Sequence, residues 1–251
     1  MAKLIAICDG HGMETAGKRT PMLPDGSFMR ENEFNRAVAA MLDTHLRRCG
    51  FRTLPVAPTD ADTPLHARIR LANTAGADFY ISIHANAFGI GGWNGARGTE
   101  TYYYTGSAEG RKAAEIIHRH LTGGTPLPNR GVKTSGSFAV LRDTVMPAVL
   151  VECAFMTNRE DAALLLSGAY RAECAEELAR GLCEYFNVPY IVEEAEVEEP
   201  GEVSGPMTAE DANKIIRFLS AAYMATDVPE ARKEFNRLAN ELRIASGQPT
   251  Q

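Results

Sequence analysis

Long apolar runs are absent from the 251-residue chain. The longest, such as Met146–Val151, fall far short of the ~20 residues that a membrane-spanning helix needs, so no membrane partner is expected. The five cysteines, Cys8, Cys49, Cys153, Cys174 and Cys183, are odd in number, widely spaced and form no Cys-x-x-Cys. This argues against a disulfide framework and a cysteine zinc site, and suits synthesis in a reducing compartment. No Lys/Arg-rich run is present, which makes nucleic acid a poor partner. The N-terminus, Met1-Ala2-Lys3-Leu4-Ile5-Ala6-Ile7-Cys8-Asp9, lacks a small-residue cleavage site after its short apolar run. It reads as a first strand and not as a signal peptide, so synthesis in the cytoplasm is expected.

What is present is an ordinary globular composition, 45% hydrophobic and 23% charged, which excludes a disordered or fibrous chain. The length corresponds to one or two domains at roughly 150 residues each. The formal net charge of −6 is local. Glu193, Glu194, Glu196, Glu198, Glu199 and Glu202 account for all of it, within ten residues that contain no base. The segment 193–206 joins those like charges to two prolines and two glycines and has almost nothing to bury. It reads as a linker between a large domain, 1–192, and a short piece, 207–251.

The large domain alternates strand and helix signals. Leu4–Ile7 is an apolar run that breaks at Asp9-Gly10-His11-Gly12. From Asn32 to Arg48, Phe34, Val38, Met41 or Leu42, and His45 or Leu46 recur at helical spacing, with Gly50 as the stop. Phe51–Val56 reads as a strand, Pro64–Ala75 as a helix, and Asp78–Ile83 as an apolar strand ending at His84. Thr99–Tyr104 reads as an outer strand and Ser107–Leu121 as a helix. Phe138–Leu141 and Ala148–Val151 read as strands, and helices follow near Arg159–Leu166 and Ala169–Tyr185. The expected fold class is α/β, a central, mostly parallel mixed sheet flanked by helices, plus a small C-terminal two-helix module. In that module Thr208 and Asp211 resemble a capping box, and Ile215, Leu219, Ala222 and Tyr223 form the stripe. Asp227-Val228-Pro229-Glu230 starts the second helix, with Phe235, Leu238, Ala239 and Leu242 apolar and Ser246-Gly247 at its end. About 45 residues make little core, so the hairpin is expected to dock or self-associate.

Polar residues at the carboxyl ends of apolar strands mark where α/β sheets bind ligands. Here Asp9-Gly10-His11-Gly12, His84-Ala85-Asn86 and Glu152 follow or end such strands, and Glu31 opens the first helix. Two histidines and a carboxylate from separate elements suit zinc, with a fourth position left for water and a further carboxylate to act as base. Each histidine taken singly is more often a hydrogen-bonded structural residue than a ligand.

Four ordered blocks sharpen this. Asp9-Gly10-His11-Gly12, Glu31-Asn32-Glu33-Phe34-Asn35, Ser82-Ile83-His84-Ala85-Asn86-Ala87 and Pro147–Asn158 span most of residues 1–190. Together they resemble the zinc-dependent N-acetylmuramoyl-L-alanine amidases of the amidase-3 type, found in bacterial autolysins and phage endolysins. The resemblance implies one Zn2+ per catalytic domain, held by His11, Glu31 and His84, with Glu152 as general base. The register to Asn35 selects Glu31 over Glu33. The segments Asn129–Lys133 and Phe138–Arg142 resemble parts of the family's substrate groove. Arg130 or Arg142 is expected to hold a peptide carboxylate, with a solvated loop charge as the alternative for Arg130. Asn86 is expected either to contact substrate or to orient His84.

The implied reaction is hydrolysis of the amide between N-acetylmuramic acid and the L-alanine of the stem peptide in bacterial peptidoglycan. Without an export signal, a phage or prophage endolysin, acting on the wall after the membrane is permeabilised, is favoured over a host autolysin. A zinc peptidase and a non-catalytic wall-binding protein are the rivals. The hairpin is expected to bind wall or to self-associate. Gly12–Lys18 nearly spells a phosphate-binding loop, but Arg19 stands where Ser or Thr is needed, and Pro21 and Pro24 oppose the helix that should follow. Cys8 and Cys153 sit in strand contexts and read as buried hydrophobes.

Overall fold

The computed structural model describes residues 2–192, 207–226 and 228–250, which separate into two compact units, 1–192 and 193–251. The first unit is built on β1 (Leu4–Cys8), β2 (Arg52–Pro55), β3 (Phe79–Asn86), β4 (Thr99–Tyr104), β5 (Asn129–Ser135) and β6 (Ala148–Phe155). These form one sheet in the order β2-β1-β3-β6-β4-β5. Neighbours are parallel except β4 and β6, whose antiparallel pairing reverses the last two strands and makes the sheet mixed. In the register, His84 of β3 stands beside Glu152 of β6, and Glu152 stands opposite Glu100 of β4.

The central strands are apolar on both faces, as strands covered by helices on both sides must be. Ile5, Ile7, Phe79, Ile81, Ile83, Val149 and Val151 point into the larger core. That side carries α1 (Glu31–Arg48), α3 (Ala108–Gly124), α5 (Arg159–Leu166) and α6 (Gly168–Phe186). The alternate residues Leu4, Ala6, Cys8, Tyr80, Ala148 and Leu150 face a smaller core under α2 (Leu65–Thr74) and α4 (Ala139–Arg142). The two short helices cover this face only in part, and a cleft remains at the carboxyl ends of β1, β3 and β6. All five cysteines are buried in these two cores.

Two sequence expectations are corrected here. Thr99–Tyr104 is not an outer strand, because β4 lies between β6 and β5. Phe138–Leu141 is not a strand, since Ala139–Arg142 forms the single helical turn α4 and buries Val140 and Leu141. A four-residue apolar run has no period long enough to separate the two states. Conversely, Asn129–Ser135 is the edge strand β5. Its polar composition hid it, because an edge strand needs little apolar surface.

The described part of the second unit is a helical hairpin, α7 (Ala209–Ala225) and α8 (Pro229–Ala245). Thr208 caps α7 by accepting from the Asp211 N–H at 3.2 Å, and Pro229 opens α8. Ile216, not Ile215, turns inward with Ala212 to meet Ala239. Ile215 is exposed, as are Phe218, Met224 and Ile244. The acidic segment 193–206 and Asp227 lie outside the described residues. No described helix is long and apolar enough to cross a membrane.

Candidate active site

The first histidine sits on a strained turn. β1 ends at Cys8, and the chain then passes Gly10 at φ 20° into His11 at φ 61°, a left-handed backbone rare for a residue with a side chain. Three side chains hold the turn by its carbonyls. Asn32 Nδ2 donates to the Asp9 and Gly10 carbonyls at 2.5 and 2.9 Å, and Asn35 Nδ2 to the Gly10 carbonyl at 3.1 Å. Arg68 Nη2 donates to the His11 carbonyl at 2.8 Å. Arg68 is itself buried, and it also reaches the Thr63 carbonyl, Asp62 and Cys8 Sγ. Gly10 has no room for a side chain, because a Cβ there would lie 2.5 Å from His84 Cε1.

Glu31 is the first residue of α1 and is buried between two imidazoles. Its Oε1 lies 3.0 Å from His84 Nδ1, and its Oε2 lies 3.4 Å from His11 Nε2. The two rings are 5.1 Å apart, edge to face. Ser82 Oγ sits 2.9 Å from His84 Nε2, the ring nitrogen turned away from Glu31, and so fixes the ring's orientation. Glu33 turns outward, where its Oε1 accepts from the Arg30 N–H at 3.1 Å as part of the helix cap.

His11, Glu31 and His84 each present a ligand atom within 4.8 Å of the others. Among the described residues they form the one group of three or more His, Cys, Asp or Glu side chains that could hold a metal ion. The donor set of two imidazoles and a carboxylate fits Zn2+. Burial lowers the pKa of His11 to about 4, against the opposing pull of Glu31, so its ring is neutral as ligation requires. Burial pushes the Glu31 carboxyl up, but His84, His11 and Lys18 outweigh it and hold the group below its ordinary range.

Glu152 flanks this group from the adjacent strand. Its Oε2 is buried and has no hydrogen-bond partner among the described residues. Burial raises its pKa to about 7, opposed by His84 and Lys18 and reinforced by Glu31 and Glu100. A carboxyl that titrates near neutrality with an unsatisfied oxygen is suited to general acid–base work. The cleft encloses about 350 Å³, in the range of ligand sites, and is lined by His11, Lys18, Arg68, His84, Phe138 and Glu152 among others. Lys18 Nζ stands 4.0 Å from Glu31 Oε2, and α1 starts only at Glu31, so Gly12–Lys18 is no phosphate loop leading into a helix.

The other expected residues fall outside this group. Asn86 Nδ2 donates to Glu100 Oε2 at 3.1 Å and does not touch His84. Arg130 Nε donates to Glu100 Oε1 at 2.6 Å. Arg142 is exposed and forks onto its neighbour Asp143 at 2.7 and 2.8 Å. Sequence reading missed Glu100, Lys133, Arg68 and the role of Asn32. Glu100 is the only charged residue in the strand run Thr99–Tyr104, and that is the one local signal it offered.

The model of the Amidase_3 family, described as N-acetylmuramoyl-L-alanine amidase, matches residues 5–184. The chain is 35% identical over 190 residues to the N-acetylmuramoyl-L-alanine amidase LytC of Bacillus subtilis, covering 74% of this chain and 36% of LytC. It therefore spans about a third of that relative. It is 29% identical over 195 residues to the endolysin of Bacillus phage SPP1, covering 75% of this chain and 68% of the endolysin. The catalytic domain of CwlV, an N-acetylmuramoyl-L-alanine amidase from Bacillus (Paenibacillus) polymyxa, superposes with a TM-score of 0.67 at 29% identity, over 74% of this chain and 99% of that one. AmiC2 of Nostoc punctiforme gives a TM-score of 0.66 at 30% identity, over 74% and 97%. With its His11–Glu31–His84 group, its flanking Glu152 and a family match across nearly all of the first unit, the chain belongs to the N-acetylmuramoyl-L-alanine amidase family.

Proposed function

We propose that this chain hydrolyses the amide between N-acetylmuramic acid and L-alanine in bacterial peptidoglycan, using one Zn2+ per catalytic unit. The observation that carries the reading is the metal-ready His11–Glu31–His84 group beside a carboxyl whose Oε2 has no partner. A bound Zn2+ supplies the Lewis acidity that brings a water's pKa toward neutrality and polarises a carbonyl. His11, Glu31 and His84 hold it, and Ser82, Asn32, Asn35 and Arg68 hold those ligands in place. Glu152 takes a proton from the attacking water. As the C–N bond breaks it passes that proton to the leaving nitrogen, so the products are a carboxylic acid and a free alanine amine.

Likeness to a phage endolysin supports deployment as an endolysin, acting on the wall from the cytoplasmic side once the membrane is permeabilised. The proposed layout is a catalytic domain 1–192, an acidic linker 193–206 and a hairpin 207–251. The exposed Phe218, Met224 and Ile244 support a hairpin that packs on wall or on a second copy.

The test pairs metal analysis with digestion of purified peptidoglycan, scoring new N-terminal alanine against new reducing sugar. About one zinc per chain, N-terminal alanine only, and a Glu152→Ala protein that keeps zinc but loses activity are expected. Cleavage that leaves the alanine amide intact would refute the reading.

A further inference from the structure

A second cavity lies between α1 and the carboxyl ends of β1 and β2. It encloses about 240 Å³ and shares no lining residue with the active-site cleft. α1 forms one wall with Arg36, Ala39, Ala40 and Asp43, whose helical spacing puts them on one face. The two alanines leave a hollow with a charged residue at either end. Ile7 and Pro55 add further apolar wall.

Each end also presents a carboxylate oxygen that nothing satisfies. Asp9 is only 4% exposed and lines the cavity. Its Oδ2 accepts from Arg36 Nε and Asn32 Nδ2, both at 3.3 Å, while its buried Oδ1 has no partner among the described residues. Arg36 turns its Nη1 to Asp60 and its Nη2 to the Thr59 carbonyl. Asp43 repeats the pattern. Its Oδ2 accepts from Arg47 Nε at 2.7 Å, and its buried Oδ1 has no partner among the described residues. Buried polar atoms nearly always have a hydrogen-bond partner, so two orphaned acceptors in one cavity call for donors. Three carboxylates, Asp9, Asp43 and Asp60, face two guanidiniums, Arg36 and Arg47, and leave negative charge over. Arg36, beside Asp9, and Asp43 stand about 10 Å apart along the helix.

We propose that this cavity binds a linear diamine, with one ammonium on Asp9, the other on Asp43 and the carbon chain over Ala39 and Ala40. A chain of roughly four or five carbons has that reach once a hydrogen bond of about 2.8 Å is added at each end. An ammonium brings three donors on a compact head, and the methylenes suit the apolar walls. A hard metal ion does not fit, since it takes about six to eight oxygens. Asp9 and Asp43 also belong to no group of described residues that could hold a metal. Asp9 leads into the His11 turn, and the Asn32 amide at its Oδ2 also holds the Asp9 and Gly10 carbonyls. A diamine in the cavity therefore steadies the turn that carries His11.

The experiment titrates the full zinc-loaded chain with 1,4-diaminobutane and with n-butylamine by calorimetry, at neutral pH and fixed ionic strength. The wild type is expected to bind the diamine on the order of tenfold more tightly than the monoamine, because only the diamine reaches both carboxylates. Asp43→Asn should bring the two amines within about twofold of each other, and Ala40→Leu, which fills the hollow, should weaken the diamine by on the order of tenfold. Both substitutions leave Asp9 and the His11 turn in place, and thermal unfolding checks that each variant folds. Zinc affinity, read by competition with a chelator, should rise several-fold at saturating diamine. Equal binding of the two amines by the wild type overturns the site. So does a preference that survives Asp43→Asn and Ala40→Leu, which would belong to the acidic segment 193–206 or another surface. Zinc affinity that the diamine leaves unmoved overturns the link to the turn.

Discussion

Replacing Arg68 with methionine removes the guanidinium that ties α2 to the His11 turn, and its effect can be worked from the hydrogen bonds. The guanidinium donates to the Thr63 carbonyl at 2.7 Å, the His11 carbonyl at 2.8 Å, Asp62 Oδ1 at 2.9 Å and Cys8 Sγ at 3.2 Å. Methionine keeps most of the stem volume and none of the donors. Two carbonyls then lose a charged partner, at about 1–3 kcal/mol each. Part of that is offset because no guanidinium has to be desolvated. The expected net loss is about 2–4 kcal/mol, which for a unit of this size lowers Tm by about 5–15 °C. The left-handed backbone at His11 then has one support fewer. Loss of such an outer partner typically weakens metal binding about 10–100-fold. Arg68→Lys should fall between, since one ammonium cannot reach four acceptors spread around a planar fork. Zinc affinity is measured by competition with a chromophoric chelator, beside thermal unfolding of the metal-free chain. If Arg68→Met lowers Tm but binds zinc like the wild type, Arg68 is only a core residue and the argument about the turn is wrong.

Three further outcomes are expected. Gly10→Ala places a methyl 2.5 Å from His84 Cε1 on a backbone at φ 20°, and should abolish stoichiometric zinc binding while leaving far-UV circular dichroism near that of the wild type. For Glu100, burial raises the carboxyl pKa, but the bonds from Lys133, Tyr102 and Arg130 prevail and hold it at about 2, below the ordinary 4.5. A depressed carboxyl stabilises the fold above its unfolded pKa and loses that contribution as pH falls toward its folded one. Acid titration should therefore weaken the wild type between about pH 5 and 2 more steeply than Glu100→Gln, and parallel curves would contradict this. Phe218→Ser on the exposed side of α7 should leave hydrolysis of soluble muramoyl peptides unchanged while lowering either sedimentation-detected self-association or binding to insoluble wall. No change in either would remove that face from both roles.

The parts of the fold that could be read in advance are those whose signal is local. Leu4–Ile7, Asp78–Ile83 and Ala148–Val151 are apolar runs followed within a few residues by His11, His84 or Glu152, and each lies in a strand that leads into or carries the site. The helix carrying Glu31 announced itself through Phe34, Val38, Leu42 and Leu46, all buried. What failed needed information from elsewhere in the chain. Glu100 meets Glu152 only because β4 runs antiparallel to β6, and nothing in Thr99–Tyr104 encodes that partner. Arg68 was passed over because arginine is seldom fully buried, and only the turn beneath it explains why this one is. In the hairpin the choice between Ile215 and Ile216 turns on a rotation of about 100° per residue, which two adjacent isoleucines cannot settle.

The order of the strands across the sheet differs from their order along the chain, and this sets when the candidate site can be completed during folding. β6 is made after β4 but lies between β3 and β4. Contacts distant in sequence tend to close late, because loop closure costs entropy before any contact rewards it. A chain that has paired β1 with β3 can already gather His11, Glu31 and His84. Glu152 joins them only when β6 inserts between two strands that precede it. A half-folded chain can then gather the three metal-ligating groups without the Glu152 carboxyl, so the proposed base arrives with the last strand of the sheet and not before.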